Sequence, residues 1–535
     1  MQPDYDVAIL GGGLAANLLA RQLVRHVPGL RVAMFERSPE TSFKVGEATV
    51  ELFSNYLLRK LGLSTYLYEN QLPKNGLRFF FDRPTRDAAL EEMSEMGTQS
   101  LPYHPSFQID RARLEADLRR MNSAAGVELH IATVRDLELS SGGAPHRFRA
   151  ESAAGARSVS ARWVVDATGR TSLVAKARDL RRPTKEHAIA AAWARYTSVV
   201  DIDDLGGPTF RARARYTARR LSTIHFAYPG YWIWFIPLNR GVVSVGVVID
   251  KTCPSFDPAI LRPAGFAAFL RAHRAVDGLL RGAERHDFLA YGQLAYSTTG
   301  VLDAADRWAC TGEAAAFTDP FYSPGSDFIA LANDFVTDLI ARDRDGDRDL
   351  AERGTLYDDY LRYRYRANLL LYKDQYQVLG SMPLMRLKWE FDIQCYYDLW
   401  VHAYMQDHHL DADRLREDLR ERTFVLQVLE GFGRLFAACA KKLHADGTYF
   451  ARNLGEFCEP LERVGCVKHV GLPMPQAETR KRILACFRRV RREAFAMLGW
   501  PCGAEEPSFS DFVTGRAFEP AGAPAALAAR REGAG

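Results

Sequence analysis

The sequence predicts an α/β fold with an inserted antiparallel sheet and a mainly helical C-terminal region. Three observations predict it. A short apolar strand runs straight into a glycine-rich turn and a helix within the first 26 residues. Strand-like and helix-like segments then alternate to about residue 340. Beyond that point the apolar residues recur at helical spacing.

The elements follow in order. Residues 1–37 read as strand, turn, helix, strand: Asp6–Leu10, then Gly11-Gly12-Gly13-Leu14-Ala15-Ala16, then Asn17–His26, then Leu30–Glu36. Further strands are expected at Leu77–Phe81, Val127–Ala132, Trp163–Val165, Ile224–Tyr228, Tyr231–Pro237 and Gly241–Ile249. The charged, glycine-containing stretch Arg342–Gly354 reads as a boundary, and Tyr357–Tyr376 and Glu417–Leu443 read as long helices. The expected division is 1–340, an α/β domain carrying the inserted sheet; 341–519, mainly helical; and 520–535, an Ala/Gly/Pro-rich tail expected to be disordered.

Composition narrows the class. At 535 residues, with 47% hydrophobic and 25% charged, the chain has ample core for a globular protein. A net charge of +4 over that length argues against a nucleic-acid partner, which would ask for a concentrated basic face. The eight cysteines (253, 310, 395, 439, 458, 466, 486, 502) form no C-x-x-C pair, which disfavours the common zinc motifs and fits reduced thiols in the cytoplasm. A strand beginning at Tyr5 leaves no room for a signal peptide, and no apolar run approaches the about 20 residues of a membrane span, so no span is expected.

The glycine loop carries the first chemical signal. Gly11 permits the tight turn, Gly13 lets the backbone approach a pyrophosphate, and Ala16 allows close packing of helix on strand. Leu14 and Ala15 belong to the loop that leads into the helix, whose N-terminus would face the phosphates. Glu36, followed by Arg37, ends the second strand where an acidic group grips ribose hydroxyls. These features predict a Rossmann-like dinucleotide site and do not by themselves separate FAD from NAD.

Three downstream segments bear on that question. Gln108-Ile109-Asp110-Arg111 leads into a helix, Asp166-Ala167-Thr168-Gly169 ends a strand, and Thr311-Gly312-Glu313-Ala314-Ala315 precedes Asp319-Pro320-Phe321. Their order resembles the FAD-dependent aromatic monooxygenase superfamily, which implies that Arg111, Asp166, Gly312, Glu313, Asp319 and Pro320 help hold FAD. The single-component hydroxylases carry D-G where this chain has Ala167-Thr168-Gly169, a departure that weighs against direct use of NADPH.

Further stretches narrow the likeness. Tyr231–Pro237 contains W-x-W-x-I-P through Trp232 and Trp234, Gly46-Glu47-Ala48-Thr49 matches a G-E-[AS]-T flavin loop, and Lys74-Asn75-Gly76-Leu77-Arg78-Phe79 matches K-x-G-x-x-F. Together they resemble flavin-dependent halogenases, closer to the branch acting on phenols and pyrroles. The likeness covers about residues 4–340 well and the C-terminal third loosely. It implies FAD used as FADH2, with O2 and a halide ion. It also implies a small aromatic substrate, free or carrier-bound, and a separate NAD(P)H-dependent flavin reductase, since no second dinucleotide loop is visible.

The chemistry implied is the making of a small electrophile, hypohalous acid, that must be guided to the substrate. An amine can guide it by hydrogen bonding or as a chloramine, and a desolvated lysine exposes such an amine. Lys74 is the candidate. Its plain alternative is a solvated lysine at a strand edge. Trp232 and Trp234 read as tunnel walls near the flavin, and alternation on a strand equally fits two core residues.

Asp319–Ser326 precedes a helix and by resemblance crosses the flavin face, with Ser323 and Gly325 supplying backbone amides to the halide. Here the chain departs from the tryptophan-acting form, Glu-Ser-Thr-Gly: Tyr322 and Pro324 stand for Glu and Thr, and proline has no N–H. The carboxylate at that position is therefore missing, which argues against tryptophan as substrate. A monooxygenase or other oxidoreductase on this scaffold without halide chemistry, or a flavoprotein that only delivers a substrate, remain the alternative readings. Elsewhere, His408-His409 reads as a solvated turn, Lys481–Arg492 as a helix with a charged face, and Trp389–Trp400 as core or as the wall of an aromatic site.

Overall fold

The computed structural model describes residues 2–460, 464–501 and 507–518; the expected tail at 520–535 lies outside the described residues. The opening strand β1 (Tyr5–Leu10), helix α1 (Leu14–His26) and strand β2 (Val32–Glu36) form the expected unit. α1 starts at Leu14, three residues before the position read from sequence. Gly13, in extended conformation, serves as its N-cap, and the turn beyond Gly11 is short enough for the helix to begin at once. β1 pairs in parallel with β2 on one side and with the long strand Gly155–Asp166 on the other. Trp308–Cys310 and Glu128–Ile131 extend the parallel order at either side. Such a sheet is covered on both faces, which explains why Val7, Ala8, Ile9 and Leu10 are all fully buried.

A nine-stranded second sheet is the inserted one. Leu77–Phe81 runs parallel to Thr223–Tyr228, and the latter continues by a tight turn into Tyr231–Pro237 and on to Val243–Asp250, all antiparallel. The last strand starts at Val243, since Asn239–Gly241 forms a 3₁₀ turn with Arg240 in the left-handed region. Register places Trp232 opposite Val248 and Trp234 opposite Gly246, on one face of the sheet with Ala191 and Trp193. A side chain at Gly246 would collide with the Trp234 ring at 2.3 Å.

The helical region shares the core of the first sheet. A long helix, α2 (Gly325–Asp345), packs on α1. The stretch Arg342–Gly354 is the end of α2, a turn at Gly346, and the start of α3 (Leu350–Leu370). One continuous apolar cluster runs from Tyr5 to Val513, and Phe457–Cys458 adds a short parallel strand to Ser94–Met96 of the second sheet. The helix Ala412–Ala445 is long and apolar enough to cross a membrane by length and composition, which corrects the expectation that no segment is. Its Val428, Leu429, Phe432, Leu435, Phe436 and Cys439 are buried at helical spacing against the neighbouring helices, as in the core helix of a globular protein.

His408-His409 is also corrected. His409 is buried, with Nε2 2.8 Å from Asp334 Oδ2, and Tyr404 donates to the same oxygen at 2.8 Å. A histidine beside aspartates in sequence says nothing of a carboxylate 75 residues earlier on α2.

Candidate functional site

Two cavities meet at a septum built from two chain segments. The first cavity lies along Leu14, Val45–Ala48, Arg111, Gly312 and Glu313. The second contains Val50, Glu51 and Lys74, with an aromatic wall from Trp389, Tyr396 and Trp400. Residues 320–329 present alternate sides to the two. Pro320, Ser323, Gly325 and Ser326 line the first, while Tyr322, Pro324, Asp327 and Phe328 line the second. Residues 45–51 divide the same way, Val45–Ala48 on one side and Val50–Glu51 on the other.

The glycine loop, which reaches the first cavity at Leu14, has the geometry of a dinucleotide-binding turn. Gly11 sits at φ +104, its N–H donates to Phe35 O at 2.8 Å, and a Cβ there would stand 2.6 Å from Ala167 O. Only glycine fills that crossing of three strand ends. Gly13 is different: a Cβ there would meet nothing nearer than Lys44 Nζ at 3.9 Å, so its surroundings leave open the approach a pyrophosphate needs. The α1 N-terminus has no side-chain cap and no acidic residue in its first turn, leaving backbone N–H groups for an anion. Ala16 is buried under the sheet, and Ala15 lies against the Gly312 turn.

Glu36 turns back to the loop, where its Oε2 accepts from Gly12 N at 2.6 Å and its Oε1 from Ser38 N at 2.9 Å; Arg37 beside it is exposed. Arg111 opens a helix capped by Asp110 and is held over the cavity by Glu115, at 2.6 Å, and by Val45 O. Glu47 is buried against the equally buried Arg195 at 2.5 Å, and Ser244 donates to its other oxygen.

Three expected cofactor residues turn away from that cavity. The Asp166 carboxylate accepts from Thr168 N, Thr168 Oγ1 and Val174 N at 2.6–2.9 Å, which secures the turn after its strand. Asp319 accepts from Phe321 N at 2.8 Å and Tyr376 OH at 2.7 Å, with His187 Nε2 at 2.8 Å. The Thr49 hydroxyl is bonded to Phe107 O and Phe107 N, both at 2.8 Å. These side chains shape the septum and its flanks; His187, Tyr376 and Arg195, which hold the expected residues, carry no local sequence signal because their partners are far along the chain.

Trp232 and Trp234 line the first cavity, on the glycine-loop side of the septum, and do not line the cavity that holds Lys74. Trp232 Nε1 donates to Tyr376 OH at 3.3 Å and Trp234 Nε1 to Ser244 Oγ at 3.2 Å. His225 stands beside them, stacked on Phe79, and burial holds its pKa down to about 3, so it is neutral.

Lys74 is 3% exposed and donates to Thr49 O at 2.7 Å. Burial lowers its pKa to about 8, with Glu51 and Asp327 opposing the shift. In the other segment of the septum the turn at Ser323 is left-handed (φ 58), and its N–H is taken by Pro320 O at 3.0 Å. Pro324 has none to give, so the first amides that α2 leaves unpaired are those of Gly325 and Ser326.

Fold and site define an α/β flavoprotein with the nucleotide-binding loop at its N-terminus. An FAD binding domain family model matches residues 4–220. Within that class the chain resembles the flavin-dependent halogenases. It is 27% identical over 436 residues to flavin-dependent halogenase chlA of Dictyostelium discoideum, covering 76% of this chain and 72% of that protein. It is 24% identical over 371 residues to tetracycline 7-halogenase of Kitasatospora aureofaciens, a little under two thirds of that protein (64%) and 64% of this chain. In fold it is similar to halogenase PltM, with a TM-score of 0.65 at 17% identity over 92% of this chain and 96% of that one. It is likewise similar to flavin-dependent brominase Bmp2, with a TM-score of 0.59 at 20% identity over 80% and 99%.

Proposed function

We propose that this protein is a two-component halogenase that uses FADH2, O2 and a halide ion on an electron-rich aromatic, phenolic or polyketide-derived. A separate NAD(P)H-dependent reductase would supply the reduced flavin. The observation that carries the reading is Lys74, a buried amine in a second cavity one septum away from the nucleotide loop. The relatives support it: their names specify a tetracycline and a carrier-bound pyrrole as substrates, and PltM has been seen with phloroglucinol and FAD. The substrate is then a small aromatic, free or carrier-bound, as among those relatives.

When bound, reduced flavin supplies the oxidising chemistry that turns halide and O2 into hypohalous acid. Gly11, Gly13 and the α1 N-terminus would hold the pyrophosphate, while Arg111, Glu47, Ala48 and Glu313 line the space for the remainder. The Gly325 and Ser326 amides would face the halide. A pKa of about 8 leaves a fraction of Lys74 neutral at pH 7 and the rest as a hydrogen-bond donor, both able to lead an electrophile across the septum. The aromatic wall of the second cavity gives a flat substrate its stacking surface.

The rival reading, direct oxygen transfer without halide, is favoured by one observation: Ser323 N–H is already bonded and Pro324 offers none. One experiment separates them. Wild type, Lys74→Ala and Lys74→Arg are given chemically reduced FAD, O2 and bromide with a panel of phenols, and products are read by mass spectrometry. The halogenase reading expects brominated product from wild type and a loss of roughly a hundredfold or more in both variants, since a guanidinium stays charged. Oxygenated product that survives Lys74→Ala would establish the rival. NADPH in place of reduced FAD should give no product without an added reductase.

A further inference from the structure

The carboxylate absent at position 322 has a counterpart elsewhere in the second cavity. Asp327 sits in the first turn of α2, 6% exposed, with its Oδ1 buried and without a hydrogen-bond partner among the described residues. It lines the same cavity as Lys74, Arg364 and Tyr396. Asp392, also in that wall, is already engaged: Lys388 Nζ is 2.8 Å away and Tyr322 donates to it at 3.0 Å. Glu51 is partly exposed and bonded by Tyr397. Asp392 Oδ1 is likewise buried and without a hydrogen-bond partner, but its carboxylate is ion-paired with Lys388, whereas no lysine or arginine is ion-paired with Asp327 among the described residues.

We propose that Asp327 is the catalytic base of the second cavity, taking the O–H proton of a phenolic substrate while Lys74 faces the electrophile. This rests on the halogenase reading for its electrophile and on the cavity alone for its proton transfer. As the ring carbon attacks, its bond to halogen forms and the halogen–oxygen bond of hypohalous acid breaks. The hydroxide released takes a proton from the Lys74 ammonium and leaves as water. Asp327 receives the phenolic proton in the same event. The ring proton of the dienone then passes to the neutral Lys74 amine, and Asp327 returns its proton to the oxygen. The sum is a halogenated phenol and water, with both side chains restored.

The electrostatics suit the role. Burial raises the Asp327 carboxyl to about 7, opposed by Arg364 and Tyr396 and assisted by Glu51, so it is a far better base than an ordinary aspartate. The charged groups facing it are Glu51, Lys74 and Arg364. Lys74 opposite would stabilise the phenolate formed.

The test needs no flavin. The full chain is titrated with 4-nitrophenol, whose ionised form absorbs in the visible, from pH 5 to 9. Wild type should ionise the bound probe in two phases, partly at lower pH as Asp327 takes its proton and completely only at higher pH where both must lose theirs. Asp327→Asn should give a single transition with its midpoint about one pH unit or more below the second wild-type phase, and Asp327→Glu should restore the two phases. In turnover, Asp327→Asn should lose roughly a hundredfold in halogenated product and the acidic limb of its pH profile. The same probe titration in wild type and Asp327→Asn, or a bound probe that wild type leaves neutral, overturns the proposal. Probe ionisation that depends on Asp327, in a protein that halogenates no phenol, removes the halogenase reading and leaves the base in place.

Discussion

Lys74 Nζ donates to the carbonyl oxygen of Thr49 at 2.7 Å, and that one bond ties the second cavity's amine to the loop that lines the first. Thr49 lies between Ala48, which lines the first cavity, and Val50, which lines the second. The amine is therefore held at the point where the septum changes sides, and a shift of that loop would carry Lys74 with it.

The burial of Lys74 has a stability signature that needs no substrate. Its pKa is about 8 folded and near the ordinary lysine value unfolded. Between those values the unfolded chain binds more protons, so the Lys74 contribution to stability rises with pH through that window and is least favourable below it. Lys74→Met removes the group that must be desolvated. Relative to wild type the variant should gain on the order of 3 kcal/mol more at pH 7 than at pH 10.5, from about 1.4 kcal/mol per pH unit. Urea unfolding at the two pH values checks it, and a mutational effect independent of pH would contradict the buried amine.

The two loop glycines should part ways on substitution. Gly11→Ala meets Ala167 O and a left-handed backbone, so it should destabilise the fold by about 1–3 kcal/mol. Gly13→Val enters open space in an extended conformation and should leave the melting temperature close to wild type, yet weaken FAD binding at least tenfold by filling the pyrophosphate approach. Thermal melts beside flavin-fluorescence titration distinguish the two. Undiminished FAD affinity in Gly13→Val would contradict the dinucleotide site.

Asp334 should be the costliest polar residue of α2. Gln22 of α1 donates to it at 2.6 Å, Tyr404 at 2.8 Å, and His409 Nε2 lies 2.8 Å away, all buried. His409 and Lys60 hold its carboxyl below the usual range against the cost of burial. Its stabilising share is present above the unfolded carboxylate value and falls away as pH drops through the lower folded one. Asp334→Ala should cost about 3–5 kcal/mol at pH 7, because three buried partners lose their acceptor. Denaturant melts at pH 7 measure it; a loss under about 1 kcal/mol would mean that the network does not hold α2 to α1.

Much of the fold and part of the site was legible in the sequence because the signals are local. Alternation and apolar runs mark Leu77–Phe81, Thr223–Tyr228 and Tyr231–Pro237, and the glycine loop marks its own ligand class through backbone geometry. Lys74 stood out by its neighbours Gly76 and Leu77–Phe79, and Trp232 with Trp234 by their period of two. What the sequence by itself determined is which backbone segments form and where a dinucleotide can lie against them. Only the tertiary structure decided which carboxylates face a cavity. Asp319 turned to His187 and Tyr376 from distant segments, His409 found Asp334, and Asp327 was left with an unpartnered buried oxygen in the cavity that Lys74 also lines. The physical reason is that the electrostatic environment of a charged side chain is set by the groups around it in space, whatever their separation along the chain, so the same residue type becomes a structural acceptor or a base according to what the fold packs around it.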